Sequence, residues 1–196
     1  MKTEIEVKFL NIDIDEMRDK LKSAGATREQ PMRMMRRALI ETPEMRDRDS
    51  FLRVRDEGDR TTLTFKQFTE NSLTGAKERE IVVSDFSETI AILAECGLNH
   101  HTLQETRRET WRHDGVEIVI DDWPWISPYI EIEGGSAESV RAMADRLGFN
   151  WSEAVFGSVD VIYNRQYPNM TVRGVIDIAK VSFADAVPVE FGQKVS

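Results

Sequence analysis

The stretch EIEVKF, residues 4–9, alternates charged and apolar side chains with the period of a β-strand. Side chains two residues apart share a face of a strand, so one face carries Glu4, Glu6 and Lys8 and the other carries the apolar residues. Alone, this pattern is typical of a surface strand with one solvated face. The rest of the chain changes that interpretation, because the pattern recurs.

Ionisable side chains share one face in six further predicted strands, opposite faces that are mostly aliphatic or aromatic but include Arg79 and Arg107. In chain order, these charged faces carry Arg53 and Arg55, Lys66, Glu78 and Glu80, Arg108, Glu117 and Asp121, and Glu131 and Glu133. A solvated face usually mixes Ser, Thr and Gln with scattered charges. Because helices are available to cover the apolar side, we expect the charged faces to turn inward around a water-filled tunnel.

The order of predicted elements indicates an α+β fold. Three amphipathic helices, each opened by Asp or Ser and closed by Gly, are expected at 13–25, 84–97 and 136–148. Eight strands are expected at 4–9, 33–41, 51–55, 61–68, 78–83, 105–112, 116–121 and 129–133. The sequence therefore predicts an eight-stranded antiparallel closed β-barrel, the tunnel, with helices packed outside.

The C-terminal part of the chain has a weaker pattern. We assign residues 1–168 to the tunnel domain and 169–196 to a C-terminal extension of unknown role, with a fourth helix expected around 156–166. Residues 172–183 have strand-like content but irregular alternation. A lid, an added edge strand and a contact to another subunit all fit this content.

Composition excludes several classes of protein. The formal net charge of -9 argues against a nucleic-acid binder or a binder of acidic membranes. No apolar run is long enough to span a membrane, and no signal segment is evident. Cys96 is the only cysteine, so we expect a cytoplasmic protein in which Cys96 is a small buried residue. A homodimer is the default expectation.

Paired carboxylates indicate a metal site. Glu4 with Glu6, and Glu131 with Glu133, project side chains about 6.6 Å apart along their strands. Like charges held this close raise one another's pKa, and a divalent cation is the natural compensator. Because all the ligands are oxygens, Mg²⁺ or Mn²⁺ is favoured over Zn²⁺.

The inward bases indicate a polyanionic ligand. They are Lys8, Arg53, Arg55, Lys66 and Arg108, more than the carboxylates alone require. Guanidinium forks match phosphate oxygens, so metal-binding acids beside these bases describe a site for a metal-chelated triphosphate. The chain has no Gly-rich phosphate loop of the G-x-x-x-x-G-K-[ST] type, so a P-loop is not the route.

These motifs resemble those of the CYTH family, the triphosphate tunnel metalloenzymes, which includes thiamine and inorganic triphosphatases and class IV adenylate cyclases. EIEVK is similar to the family's Glu-x-Glu-x-Lys motif, and LRVR, TFK, ERE, RRETW, GVEIVIDD and YIEIEG follow in the family's order over roughly residues 4–165.

The resemblance implies three sets of site residues. The metal-binding set is Glu4, Glu6 and Glu133, with Glu131 and Asp121 in support. The triphosphate-binding set is Lys8, Arg53, Arg55, Lys66 and Arg108. The catalytic set is Glu4, Glu6, Lys8 and Glu80, with Glu78 lining the same tunnel.

Three stretches depart from the family pattern. Thr106 stands where the family often has Lys, with Arg107 as the neighbour that could reach in its place. RRALIETP, residues 36–43, lacks the usual Asp and Tyr, and WISPY, residues 125–129, replaces a Gly-rich approach to the last strand. These departures concern the organic end of the substrate rather than the triphosphate.

Three functions fit the sequence. We favour a metal-dependent triphosphatase that releases orthophosphate from inorganic triphosphate, thiamine triphosphate or a nucleoside triphosphate. The alternative is a class IV adenylate cyclase, in which MRMMRR, residues 32–37, could recognise the base, although a partly exposed strand explains it at least as well. Trp123 and Trp125 could stack on a base or a thiazole ring, but ordinary packing explains them better. A non-catalytic binder of triphosphate or polyphosphate is the third.

Overall fold

The computed structural model describes residues 1–195, in which one sheet of ten strands is accompanied by five helices. The strands are β1 Lys2–Thr3, β2 Glu6–Phe9, β3 Thr27–Ile40, β4 Ser50–Asp56, β5 Thr61–Phe68, β6 Ala76–Val83, β7 Thr102–His113, β8 Val116–Asp122, β9 Tyr129–Glu133 and β10 Lys180–Val181. The helices are α1 Ile14–Ser23, α2 Pro43–Arg46, α3 Phe86–Glu95, α4 Ala137–Arg146 and α5 Val159–Gln166. Ser196, the last residue of the predicted extension, lies outside the described residues.

Both ends of the sheet pair with the N-terminal segment. The strand order is β1-β6-β5-β4-β3-β7-β8-β9-β2, and all of these neighbours are antiparallel. Because β1 and β2 follow one another in the chain, residues 2–9 join the two ends of this order, and the sheet curls around a central cavity. The predicted class, an antiparallel curled sheet with helices outside, is confirmed.

The predicted number of eight strands is wrong. The first predicted strand is broken at Glu4 and Ile5 because the segment changes partners: β1 pairs with β6, whereas β2 pairs with β9. At the break, the backbone N–H of Glu4 donates to the Ala76 carbonyl at 2.9 Å. The short strand β10, within the irregular stretch 172–183, pairs in parallel with β7.

The predicted helix caps are confirmed. The Asp13 side chain accepts hydrogen bonds from two backbone N–H groups at the start of α1, and Asp85 and Ser136 each accept one at the starts of α3 and α4. Gly25, at φ 80°, follows the end of α1 and supplies the left-handed turn that terminates the helix. The fourth expected helix is α5.

The main core lies between the outer face of the sheet and helices α1 and α4. The apolar residues of β2, β8 and β9 fill it, and Phe9 stacks on Phe149 with ring centroids 4.2 Å apart. Helix α3 is different, because none of its residues is buried and Ile92 is 64% exposed. Cys96, at the end of α3, is exposed, so the expectation that it is buried was wrong.

A second core joins α5 and the C-terminal segment to the sheet. Val175, Val181 and Phe191 pack here against Trp123 and Tyr129. Within residues 172–183, the structure therefore places an added strand and a packed turn against the tunnel wall. No helix within residues 1–195 is long and apolar enough to cross a membrane.

Ile132→Ala is expected to lower the free energy of unfolding by about 2–5 kcal/mol, because it leaves a cavity in the main core. The measurement is urea unfolding followed by circular dichroism. Ile92→Ala is the control, and it is expected to change stability by less than about 0.5 kcal/mol because Ile92 is exposed. Equal losses in the two variants would contradict this assignment of the core.

Candidate active site

The inward faces of the strands line one cavity of about 530 Å³, a size typical of small-molecule sites. Almost all of the predicted site residues meet there: Glu4, Glu6, Lys8, Arg53, Arg55, Lys66, Glu80, Arg108, Glu131 and Glu133. The charged face of EIEVKF therefore points into the cavity while its apolar face packs in the main core.

Asp121 is the predicted site residue that does not line the cavity. It is fully buried opposite Arg108 on the neighbouring strand, and it accepts hydrogen bonds from Nε at 2.7 Å and Nη2 at 2.5 Å. Burial alone would lower the pKa of Arg108, but the carboxylates of Asp121 and Glu131 raise it well above its ordinary value. This geometry makes Asp121 an orienting partner of Arg108; its role as a metal ligand stays a prediction.

Two lysines hold the carboxylates of the tunnel. Lys8 Nζ lies 2.7 Å from Glu6 Oε1 and 3.1 Å from Glu131 Oε2, and Lys66 Nζ lies 2.6 Å from Glu4 Oε2. Burial would lower the pKa of Lys8, but Glu131 and Glu6 raise it. Burial would likewise raise the pKa of Glu131, but Lys8 and Arg108 lower it. Both groups are therefore held in their charged forms.

Arg53 and Arg55 project side by side from β4. Arg53 Nη2 lies 3.5 Å from Glu80 Oε2, and Arg55 Nη2 lies 2.5 Å from Glu57 Oε1. Burial, together with the charges of Arg53 and Arg108, lowers the pKa of Arg55 to about 10. The Nε groups of both arginines are buried and have no acceptor among residues 1–195. Each therefore keeps a free donor.

At the acidic part of the cavity, the pKa of Glu78 is raised to about 7. Burial is the largest cause, and repulsion by the Glu4 carboxylate is the next. Burial also raises the pKa of Glu133, although Lys2 Nζ lies 2.8 Å from its Oε1. Crowded carboxylates of this kind suit a hard divalent cation, which would relieve their mutual repulsion.

The donor set of Glu4, Glu6, Glu131 and Glu133 thus fits Mg²⁺ or Mn²⁺ by its chemistry. Within residues 1–195, no three His, Cys, Asp or Glu side chains are already grouped closely enough to hold a metal ion. The lysine contacts explain this, because Lys66, Lys8 and Lys2 occupy these carboxylates. A bound cation would replace some of those contacts.

Sequence reasoning missed Arg37. It lines the same cavity, its Nη2 donates to Thr106 Oγ1 at 3.0 Å, and its guanidinium lies 4.5 Å from the centroid of the Trp123 ring. Its neighbour Arg36 points outward to Asp56. The adjacent arginines of MRMMRR could have been separated only by knowing which of them shares a face with the inward residues of β4.

The expectation that Arg107 reaches into the cavity is wrong. Arg107 lies on the outer face, where Nη1 donates to Asp122 Oδ2 at 3.2 Å and the guanidinium lies 4.0 Å from the Phe183 ring centroid. Neighbours in an extended strand point to opposite faces, so Arg107 cannot accompany Arg108. Trp125 packs against Phe191, whereas Trp123 lines the cavity wall.

The family model of the CYTH domain matches residues 2–153. The chain belongs to the CYTH family. No curated protein sequence matches it significantly. Its membership therefore rests on the family model and agrees with the inward acids and bases described above.

Solved structures share the fold of this CYTH protein. A putative adenylate cyclase from Vibrio parahaemolyticus has a TM-score of 0.70 at 12% identity, over 82% of this chain and 97% of that one. The PH1012 protein from Pyrococcus horikoshii has a TM-score of 0.66 at 20% identity, over 77% and 93%. The putative adenylyl cyclase HpAC1 from Hippeastrum, described as having a dominant triphosphatase activity, has a TM-score of 0.54 at 15% identity, over 79% and 91%.

Glu78→Gln is expected to flatten the pH dependence of stability in metal-free protein. The folded-state pKa of about 7 lies above the ordinary value of 4.5, so between these values the native state holds a proton that the unfolded chain has released. This contribution to stability is present below about pH 4.5 and is lost as the pH rises through about 7. Solvent screening of this half-exposed group limits the effect to about 1 kcal/mol.

The measurement is urea unfolding in EDTA at about pH 5 and about pH 8. Relative to wild type, Glu78→Gln is expected to gain stability at the higher pH. Glu95→Gln, on α3, is the control for loss of a carboxylate away from the cavity. Parallel stability curves for wild type and Glu78→Gln would contradict the raised pKa.

Proposed function

We propose that this CYTH protein is a divalent-metal-dependent hydrolase that releases orthophosphate from a triphosphate substrate. The observation that carries the proposal is a set of buried N–H donors that have no acceptor in the described part of the chain. They belong to side chains that line the cavity: the Nε groups of Arg37, Arg53 and Arg55 and Nε1 of Trp123. Unpaired buried donors cost free energy. A polyphosphate carries many acceptor oxygens and negative charge, so it would satisfy several of them together.

The bases are arranged to neutralise charge along a phosphate chain. Arg53 and Arg55 offer free Nε donors from β4, while Asp121 fixes the orientation of Arg108 on β7. When the substrate binds, Lys8 and Lys66 each give up a contact with a carboxylate and contact a phosphate oxygen instead. In the reaction, these groups stabilise the charge that develops on the phosphoryl oxygens and on the departing diphosphate.

Glu4, Glu6 and Glu133, supported by Glu131, would hold Mg²⁺ or Mn²⁺. When bound, such a cation supplies charge neutralisation and polarises the phosphoryl oxygens. Lys2, Lys8 and Lys66 keep these carboxylates close to the cavity before the cation arrives.

Glu80 is the residue we assign to the attacking water. Its Oε2 accepts a hydrogen bond from the Thr64 hydroxyl at 2.7 Å and lies 3.5 Å from Arg53 Nη2, so the carboxylate is fixed beside a phosphate-binding base. The water oxygen forms a bond to the terminal phosphorus, the bond to the bridging oxygen breaks, and Glu80 accepts the water's proton. The products are orthophosphate and a diphosphate.

A cyclase uses the same triphosphate site, with the 3′-hydroxyl of ATP attacking the α-phosphorus. Similar structures include putative adenylate cyclases, and the Hippeastrum protein is described with a dominant triphosphatase activity. Hydrolysis is favoured here because β3 contributes only Arg37 and Leu39 to the cavity lining. The methionines of MRMMRR do not line the cavity, which removes them as a base-recognition surface.

Product analysis tests the proposal. Purified protein is incubated with ATP, thiamine triphosphate or inorganic triphosphate, each with Mg²⁺ and with Mn²⁺. Orthophosphate release is the expected result. The substrate with the highest kcat/KM identifies the organic group, if any, that the protein accepts. Cyclic AMP with pyrophosphate would replace the triphosphatase by the cyclase, and binding without any product would leave a non-catalytic binder.

Arg53→Ala is expected to reduce kcat/KM for the best triphosphate about 10- to 100-fold, because it removes a charged hydrogen-bond donor from the phosphate chain. Arg79→Ala is the control, since Arg79 lies on β6 in the same sheet and does not line the cavity. Steady-state kinetics at fixed metal concentration make the comparison. Equal kinetics for the two variants would remove Arg53 from the phosphate site.

Glu4→Gln is expected to abolish most metal-dependent turnover while retaining much of the binding of inorganic triphosphate, because the carboxylate is assigned to the cation and the bases remain. Turnover is measured as a function of Mg²⁺ concentration, and anion binding by calorimetry in EDTA. Glu16→Gln, exposed on α1, is the control. Unaltered turnover in Glu4→Gln would contradict the role of Glu4.

A further inference from the structure

Arg37 differs from the other bases of the cavity. Its side chain belongs to a residue only 6% exposed, yet no carboxylate oxygen in the described chain lies within 4.0 Å of its guanidinium. By contrast, carboxylate partners lie within that distance of Lys8, Lys66, Arg53, Arg55 and Arg108. Arg37 is thus a buried cation with no carboxylate in direct contact, and the more distant Asp121 offsets the surrounding positive charge only in part.

Such a residue is costly to the folded protein. Burial, followed by the charges of Arg53, Arg55 and Arg108, lowers the pKa of Arg37 well below its ordinary value. The Thr106 hydroxyl and the face of Trp123 compensate for this only in part, because neither carries a negative charge. A side chain with a purely packing role would avoid the cost.

The position of Arg37 matches the phosphate-binding bases. It lies opposite Arg55 on β4 and opposite Gln104 on β7, and its Nε has no acceptor although it is buried in the cavity wall. The positive charges of Arg53 and Arg108 lower the pKa of both Arg37 and Arg55, so the guanidinium groups of this cluster lie close together. An anion that contacts this group would remove their mutual repulsion.

We propose that Arg37 is a sixth phosphate-binding base of the cavity, supplied by β3 in place of a lysine at position 106 on β7. Thr106 is too short to reach a ligand as a lysine would, and it contacts Arg37 at 3.0 Å instead. The cation therefore reaches this part of the cavity from the adjacent strand. The inference rests on the proposed function in that its ligand is the phosphate chain of the substrate.

Calorimetric titration of inorganic triphosphate in EDTA tests the inference without turnover. Arg37→Gln is expected to raise Kd by about tenfold or more, as the loss of a charge-assisted hydrogen bond requires. Arg36→Gln is the matched control, because Arg36 is the adjacent arginine, is exposed and pairs with Asp56; its Kd is expected to equal that of wild type. Equal Kd values for Arg37→Gln and wild type, or no binding by wild type, would overturn the inference.

A relocated charge tests the geometry. In Arg37→Gln/Thr106→Lys, the lysine starts from the residue that Arg37 now contacts, so the double variant is expected to recover most of the lost affinity. Arg37→Lys, which keeps the charge on β3, is expected to fall between wild type and Arg37→Gln. Failure of both to exceed the affinity of Arg37→Gln would overturn the assignment of Arg37 as a phosphate-binding cation.

Thermal unfolding separates ligand binding from a structural role. In anion-free buffer, Arg37→Gln is expected to have a Tm equal to or higher than that of wild type, because an unpaired buried charge has been removed. A structural role predicts a lower Tm and would count against the inference. Hydrolysis is assayed separately: weakened binding in Arg37→Gln without orthophosphate release by wild type would reject the triphosphatase but keep the anion site.

Discussion

Charges placed inside a protein must be neutralised by one another or by a ligand, and the rest of this structure depends on that constraint. Lys8 meets it by lying between Glu6 and Glu131, which come from strands at different positions in the chain. Lys66 and Glu4 meet it across the junction where the N-terminal segment changes partners. These ion pairs stabilise the buried charges when no ligand is bound. They also hold the acids and bases at the cavity, where the proposed ligand would contact them.

The outer face of the sheet carries apolar side chains, which must be covered from water. Most inward charges on β2, β8 and β9 have apolar outward neighbours, and helices α1 and α4 cover those neighbours. Over β4 to β6 the cover is thinner, since α3 contributes no buried residue and Ile81 remains exposed. The half of the sheet that contains β2, β8 and β9 therefore buries more apolar surface than the half that contains β4 to β6, although both halves line the cavity.

Strand alternation predicted most of the site because a period of two assigns each residue to a face without any knowledge of the fold. The prediction failed where the strand is irregular, because the period of two then no longer shows which residues point inward. Strand β3 shifts register between Arg28 and Arg33, so the sequence could not decide which of Arg36 and Arg37 turns inward. The sequence also does not show which strands pair with each other. The break at Glu4 and the contact of Asp121 with Arg108 both follow from that pairing. The exposure of Cys96 was missed because a helix pattern does not reveal what covers the helix.

The pairing of residues 2–9 with both ends of the sheet also bears on the order of assembly. Glu6 pairs with Glu133, so β2 leaves the ribosome well before the strand with which it pairs. Contacts of such long sequence separation carry a large loop-closure entropy and slow the folding of β proteins. Until β9 emerges, β2 lacks the strand with which it pairs in the folded protein. Charged side chains on an unpaired strand discourage pairing with other chains, so the charges that line the finished cavity also suit this earlier stage of synthesis.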